Sequence, residues 1–305
     1  MDIDARTLGN TLINEIISAL GLPKTRPIYQ LFWLLFHKVT DHMGEIGVTF
    51  DHLVAEEGFS KAAAWVLTQF CSHVTARHNE PSPAEGPLLV VSNHPGTYDS
   101  LVVTSQVGRD DMRFIAGDIP FLEHLPHACR NFIFIEPYDA YNRMAAARDA
   151  IRHLQRGQAI FLFGSGHIDP DPAVYPRAAE HIEAWYTSVE VFLRHVPQTR
   201  LLLALVSHVV APEWARHPIT WLRKQGIDKR RLAEFGQVIT QLLSPGKLKL
   251  TPFVSFASPV TVQELRAESD SEQLLPAIIR REKALLAEHL AWVGRNYSDR
   301  LGERG

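Results

Sequence analysis

His94 and Asp99 are the residues whose types and spacing most directly suggest chemistry. They stand in the segment Leu88-Leu-Val-Val-Ser-Asn-His-Pro-Gly-Thr-Tyr-Asp99. An aspartate that accepts a hydrogen bond from one imidazole nitrogen fixes the tautomer and leaves the other nitrogen as a base. The spacing alone is weak evidence, because a chain with 15 histidines contains about one such pair by chance. The ordinary alternative is that Asp99 caps a helix and His94 is a polar loop residue.

The surroundings of the pair favour a site. A short apolar run, Leu88–Val91, predicts a buried strand that ends just before His94. Pro95 and Gly96 then turn the chain, and an apolar helical segment begins at Asp99. His94 is therefore expected at the carboxyl end of a strand, which is where open α/β sheets carry their sites.

The elements around this segment predict an α/β fold. We expect helices from residue 5 to about 77, a linker over 78–87, and a domain boundary near residue 80 that separates a helical domain, 1–80, from an α/β domain, 81–305. Short apolar runs then alternate with amphipathic helices, which predicts a mixed, largely parallel sheet flanked by helices. The predicted strands are Leu88–Ser92, Arg113–Ala116, Phe132–Ile135, Ala159–Phe163, Leu201–Val206 and Thr251–Phe256. A final helix is expected over about the last forty residues.

Composition excludes several classes of protein. The 305 residues carry a net charge of -3, which gives no general basic field for nucleic acid. The 2 cysteines and the N-terminus without an apolar run predict a reducing, cytoplasmic location without a disulfide framework or signal peptide. The most apolar early run, Ile28–Phe36, is too short for a membrane span of about 20 residues. A core helix is its ordinary interpretation, and partial dipping into the inner membrane face is the other.

The segment Ser92-Asn-His-Pro-Gly-Thr-Tyr-Asp-Ser100 resembles the N-H-x-x-x-x-D block of the glycerolipid acyltransferase family, which includes the glycerol-3-phosphate and lysophosphatidate acyltransferases. Segments similar to the later blocks follow in the order of the family, over about residues 65–265. They are 113–122 with Asn131–Ile135, Ala159–Gly166, Leu202–Ser207 and Phe253–Val260. Ordered blocks at proper distances are far more specific than one block alone.

This resemblance implies a reaction. It indicates transfer of a fatty acyl group from an acyl thioester, either acyl-CoA or acyl carrier protein, to a hydroxyl of a lipid or polyol acceptor in phospholipid biosynthesis. His94 would be the general base, oriented by Asp99. No cofactor or metal would be needed beyond the thioester co-substrate. Backbone N–H groups near Gly96 or Gly166 would hold the oxyanion. Other expected substrate contacts are Asn93, Gly164, Ser165 and Ser207.

Two blocks depart from the family pattern. The second block of the family ends in Ile-x-Arg, and that Arg helps to hold the acceptor phosphate. Here Glu136 and Pro137 follow Ile135. In the third block, Ser165 stands at the family Glu, and His167-Ile168 replaces Thr-Arg. The reaction type is thus better supported than a glycerol-3-phosphate acceptor, and candidate substitutes for the missing phosphate contacts are Arg113, Arg130 and Arg143.

Other patterns keep rival functions open. The altered phosphate positions also suit a lipid-binding protein of the same fold without turnover. A hydrolase is the second rival, through Ser165 in Gly164-Ser-Gly166 or a metal at His167, Asp169 and Asp171. A plain turn is the ordinary interpretation of both loops, and His124 and His127 are expected to be structural.

A basic segment over 216–231 has two nearby tryptophans, Trp214 just before it and Trp221 within it. Its cations are Arg216, Arg223, Lys224, Lys229, Arg230 and Arg231. It suits an anionic lipid, an acidic carrier protein or the phosphates of coenzyme A. The alternative is a solvated helix face.

Overall fold

The computed structural model describes residues 4–117, 119–136, 138–175, 177–185, 188–223, 226–269 and 272–302. Its strands are β1 Thr75–His78, β2 Leu88–Ser92, β3 Arg113–Gly117, β4 Phe132–Ile135, β5 Ala159–Phe163, β6 Arg200–Ser207 and β7 Phe253–Phe256. Its helices are α1 Ala5–Ala19, α2 Arg26–Glu57, α3 Phe59–Phe70, α4 Asp99–Val107, α5 Pro120–Glu123, α6 Ala140–Gln155, α7 Ala178–Ile182, α8 Ser188–His195, α9 Pro212–Ala215, α10 Gly226–Leu243, α11 Val262–Ala267 and α12 Leu275–Gly302. Two 3₁₀ turns cover Ala128–Asn131 and Pro218–Leu222.

The strands described form one sheet in the order β1-β7-β6-β2-β5-β3-β4. Neighbouring strands run parallel except for β6 and β7, which are antiparallel. All residues of β2 and β7 are buried, as expected for strands that are covered on both faces. The predicted mixed, largely parallel sheet with flanking helices and an N-terminal helical region is confirmed.

Two apolar clusters cover the sheet. In the first cluster, helices α1–α4 pack against strand residues such as Val90 and Phe161. In the second cluster, helices α6, α8, α11 and α12 pack against their neighbours in the strands, Leu89 and Ile160. Because side chains of a strand alternate between the two faces, these are the two sides of the sheet. The N-terminal helices therefore share a core with the sheet, and the division of the chain at residue 80 stays a prediction.

The predicted N-terminal helical region extends about seven residues beyond the last helix of that region in the structure. Helix α3 ends at Phe70, and Thr75–His78 forms the edge strand β1, which pairs with β7. The predicted helix to about residue 77 is wrong here, because pairing with a strand nearly 180 residues later in the chain decides the conformation.

The apolar run Ile28–Phe36 lies in α2, but it does not form a core helix. Leu31, Leu34 and Leu35 are 52%, 66% and 61% exposed. Helix α2 becomes buried only from Val39 onward. None of the described helices is long and apolar enough to span a membrane.

Candidate active site

His94 and Asp99 lie at the carboxyl end of β2, and the structure brings their side chains together. His94 Nδ1 is 2.8 Å from Asp99 Oδ2. Asp99 is 1% exposed and also accepts from the backbone N–H groups of Gly96, at 2.9 Å, and Ser100, at 2.6 Å. A carboxylate at the first turn of α4 is also favoured by the helix dipole. Asp99 is thus fixed by the loop and orients the imidazole.

The loop after β5 holds His94 from the other side. The backbone N–H of His94 donates to Asp169 Oδ2 at 2.9 Å, and the N–H of Asp169 donates to the carbonyl of His94 at 2.7 Å. The ring of Phe163 stacks on the imidazole with a centroid distance of 3.9 Å and an interplanar angle of 11°. The His94 side chain remains 27% exposed. Its Nε2 lies on the side of the ring away from the hydrogen bond to Asp99.

The charges near His94 favour its protonated form. Burial lowers the pKa of His94, but the neighbouring Asp99, Glu234 and Asp169 carboxylates outweigh that effect and raise the pKa above its ordinary value. The pair therefore combines a fixed geometry with an imidazole of raised proton affinity.

Glu234 is a site residue that the sequence did not indicate. It lies on α10, is 8% exposed, and accepts from Thr97 Oγ1 at 3.2 Å. Burial raises the pKa of Glu234 to about 7, although the nearby His94 lowers it. The helix lies outside the segments that carry the resemblance, and a glutamate on an amphipathic helix is an ordinary surface residue. No local signal could have found it.

The two carboxylates that follow β5, those of Asp169 and Asp171, accept hydrogen bonds from the backbone of neighbouring loops. Asp171 is fully buried and accepts from the N–H groups of Ala173, His208, Val209 and Val210. This holds the loop after β6, in which His208 has a φ of 60°. Asp169 is bound to the backbone of His94 as described above. Among the residues described, no group of three His, Cys, Asp or Glu side chains is placed to hold a metal ion.

Several predicted contact residues have partners inside the protein. Asn93 donates from Nδ2 to the carbonyl of Val206 and accepts from its N–H, which ties the loop to β6. The N–H of Gly164 donates to the carbonyl of Ser92, and a Cβ at Gly164 would lie 2.2 Å from the ring of Trp185.

The turn after β5 is also engaged internally. Ser165 Oγ donates to the carbonyl of His167 and accepts from its N–H. Gly166 has a φ of 64° and donates its N–H to the carbonyl of Phe163. The segment forms a tight turn next to His94, and these two hydrogen bonds join the Ser165 hydroxyl to the backbone of His167. Ser207 is buried between two histidines, His208 and His289.

The predicted arginines are not gathered at His94. Arg113 begins β3, and Arg130 precedes β4, so both lie at the amino ends of strands that run parallel to β2. That is the opposite edge of the sheet from His94. Arg143 follows β4 at the correct edge, but β4 is three strands from β2, or roughly 14 Å. Glu136 is exposed, and Pro137 lies outside the described residues.

The basic segment does not form a single face. Trp221 is 74% exposed, whereas Trp214 packs against Gly236 and Arg230 donates to the carbonyl of Ile168 beside the site. Lys224 lies outside the described residues.

A second His–Asp pair has the same hydrogen bond. His127 Nδ1 is 2.7 Å from Asp51 Oδ2, and Asp51 also accepts from the N–H groups of His127 and Ala128. This pair joins α2 to the 3₁₀ turn before β4. It provides an internal comparison for the first pair.

Comparisons with known proteins give two findings. Residues 73–211 match the family model described as "Acyltransferase". The crystal structure of the 1-acyl-sn-glycerophosphate (LPA) acyltransferase PlsC from Thermotoga maritima is similar over 92% of this chain and 95% of that one, with 18% identity and a TM-score of 0.41. No curated protein sequence matches.

Proposed function

We propose that this chain transfers a fatty acyl group from an acyl thioester to a hydroxyl of a lipid or lipid precursor, because residues 73–211 match the acyltransferase family model. The donor is acyl-CoA or acyl carrier protein. The observation that carries the proposal is the 2.8 Å contact between His94 Nδ1 and Asp99 Oδ2, within the matched segment and at the carboxyl edge of a largely parallel sheet. At that edge an oriented imidazole can take the proton of an acceptor hydroxyl, a step that simple lipid binding does not require.

In the proposed reaction, Nε2 of His94 accepts the proton of the acceptor hydroxyl while its oxygen attacks the thioester carbonyl carbon. Asp99 stabilises the imidazolium that forms. The tetrahedral intermediate then collapses, the carbon–sulfur bond breaks, and the thiolate leaves. His94 returns its proton to that thiolate, so the enzyme ends as it began, without a covalent intermediate.

The oxyanion needs hydrogen-bond donors. The N–H groups of Gly96 and Gly166 were the predicted donors, but they already donate to Asp99 and Phe163. They would reach the oxyanion only as shared donors.

We place this reaction at the surface of the inner membrane face. The first turns of α2 expose Leu31, Trp33, Leu34 and Leu35 within five residues. Exposed Lys24, Arg26 and Lys38 flank this apolar patch. An apolar patch with flanking cations suits shallow insertion into an anionic lipid surface.

The direct test is acyl transfer from a panel of acyl-CoAs and acyl carrier protein to lipid hydroxyls, followed by mass spectrometry. His94→Ala should reduce turnover at least about a hundredfold, because it removes the general base. His127→Ala is the matched control, since it removes an imidazole from an equivalent carboxylate pair elsewhere. It should leave turnover near the wild-type value.

Two outcomes would contradict the proposal. Turnover unaffected by His94→Ala would overturn the assigned mechanism. Lipid binding without turnover from any donor would instead indicate the binding protein considered above.

A further inference from the structure

A polar stripe runs along the inner face of α10. Arg230, Glu234, Gln237 and Gln241 follow one another at steps of four, three and four residues, which places them on one side of the helix. Glu234, Gln237 and Gln241 are all buried. Polar side chains on a buried helix face need hydrogen-bond partners.

The two glutamines find their partners within the protein. Gln237 accepts from the N–H of Ala211 at 2.6 Å and donates to the carbonyl of Val209 at 3.0 Å. Gln241 accepts from the hydroxyl of Tyr98 and donates to two backbone carbonyls. This half of the stripe is explained by packing, since it attaches α10 to its surroundings.

The other half of the stripe is only partly bonded. Arg230 Nη2 donates to the carbonyl of Ile168 at 2.8 Å, and Glu234 Oε2 accepts from Thr97. Arg230 Nε and Glu234 Oε1 are buried, and neither has a hydrogen-bond partner in the described part of the chain. The donor Arg230 Nε and the acceptor Glu234 Oε1 are therefore open, that is, without a hydrogen-bond partner among the described residues, and their residues are one helical turn apart.

Both open atoms belong to side chains held beside the reacting pair. Ile168 precedes Asp169, which binds the backbone of His94, and Thr97 lies between His94 and Asp99. The charged groups that act on Glu234 are His94, Asp99 and Arg230. Arg230 is in turn surrounded by Tyr175, Asp169 and Glu234. Three carboxylates near a single arginine and one imidazole make a poor site for a phosphate dianion.

We propose that Arg230 and Glu234 form the head-group subsite for the acceptor of the acyl transfer proposed above, and that this acceptor is a polyhydroxylated lipid head. Glu234 Oε1 accepts a hydrogen bond from a second hydroxyl next to the one that reacts. Arg230 Nε donates to an ester or other neutral oxygen of the same head. Such a ligand supplies one donor and one acceptor, and it satisfies both open atoms at once.

The test measures binding separately from turnover. Full-length protein carrying His94→Ala is titrated calorimetrically with 1-decanoylglycerol, which offers two hydroxyls, and with the monodecanoate of 1,3-propanediol, which offers one. Both ligands are kept below their micelle concentrations. The glycerol ester should bind about tenfold more tightly, because the second hydroxyl meets Glu234. Adding Glu234→Ala should remove this preference, and adding Arg230→Ala should weaken both ligands about tenfold.

Arg231→Ala in the same background is the matched control, because Arg231 is an exposed neighbour of Arg230 on α10. It should change neither affinity. Circular dichroism checks that each variant is folded, and Glu234→Leu, which keeps most of the side-chain volume but has no hydrogen-bond acceptor, replaces the alanine variant if that one unfolds. A preference that survives both changes at Glu234, an unaltered affinity in Arg230→Ala, or no binding of either ligand would overturn the subsite.

Turnover of the wild type with decanoyl-CoA separates this inference from the proposed function. Transfer that proceeds with unchanged acceptor KM in Arg230→Ala and Glu234→Ala keeps the function and rejects the subsite. Binding as expected without any transfer keeps the subsite and rejects the function.

Discussion

Hydrogen bonding alone does not distinguish His94 from His127, because each imidazole meets a buried aspartate at nearly the same distance. The surroundings differ. The His94 ring is stacked on Phe163 and lies near two further carboxylates, Asp169 and Glu234, whereas the His127 side chain is 41% exposed. The first pair therefore has a further carboxylate beside it, that of Glu234, and the Oε1 of this group accepts no hydrogen bond from the described residues. This feature separates the His94 pair from the His127 pair and suits a functional role.

The raised pKa of His94 predicts the pH dependence of activity. The base must be neutral, so kcat/KM should rise with pH through a midpoint above 6.5, the ordinary value for histidine. Glu234 titrates with a pKa of about 7, so the midpoint belongs to both groups. Glu234→Gln removes one of the charges that raise the pKa of His94 and should move the midpoint to lower pH.

A pH profile from about 5 to 9 for wild type and variant measures this effect. A wild-type midpoint at or below 6.5, or a midpoint that Glu234→Gln leaves in place, would contradict the electrostatic coupling.

At the scale of elements, the turn after β5 shows how packing constrains the site. Gly164→Ala would place a Cβ 2.2 Å from the ring of Trp185, so the indole must move within a packed cluster. We expect a loss of about 1–3 kcal/mol in the free energy of unfolding, measured by urea denaturation. Gly117→Ala is the control, because a Cβ there meets nothing within 4 Å. Unchanged stability with lost activity in Gly164→Ala would instead support the predicted substrate contact.

Local patterns predicted the elements well where burial decides the conformation. The mainly apolar runs of β2, β4 and β5 have the predicted bounds, and the spacing of His94 and Asp99 after β2 predicted their contact. The wrong prediction over residues 75–77 depends on a distant partner, because the edge strand β1 forms only beside β7. The hydrogen bonds between Asn93 and Val206, which is 113 residues later, were likewise not indicated by the sequence.

The sequence did not predict that α10 lies beside the candidate site. Arg230 was predicted only as one of several cations in the basic segment, and Glu234 was not predicted at all. Their contacts with Ile168 and Thr97 distinguish them from residues of a solvated helix face. Two of the predicted arginines lie away from His94 for a topological reason. Arg113 and Arg130 precede their strands, and the direction of those strands places them at the far edge of the sheet.

For the whole molecule, strand order and direction bring the site together. Strands β5, β2 and β6 are parallel neighbours, so their carboxyl ends meet at one edge. The loops that follow them carry Asp169, His94 and Val209, and Asp171 bonds the first loop to the third. Helix α10 closes this edge through Gln237 and Glu234. The exposed apolar patch on α2 lies outside both apolar clusters and takes no part in these contacts around the candidate site.

Contact with a lipid surface would give that patch a role, and it predicts a selective loss of vesicle binding. Leu34→Glu combined with Leu35→Glu puts two charges on side chains that are 66% and 61% exposed, so folding should be unaffected. Each leucine that no longer inserts removes about 1.5–3 kcal/mol of apolar transfer, so co-sedimentation with anionic vesicles should weaken at least about tenfold. Leu243→Glu is the control, since Leu243 is also 61% exposed but stands at the end of α10. Turnover of a water-soluble short-chain acceptor should persist in the double variant. Equal vesicle binding by wild type and double variant would exclude α2 as the contact with lipid.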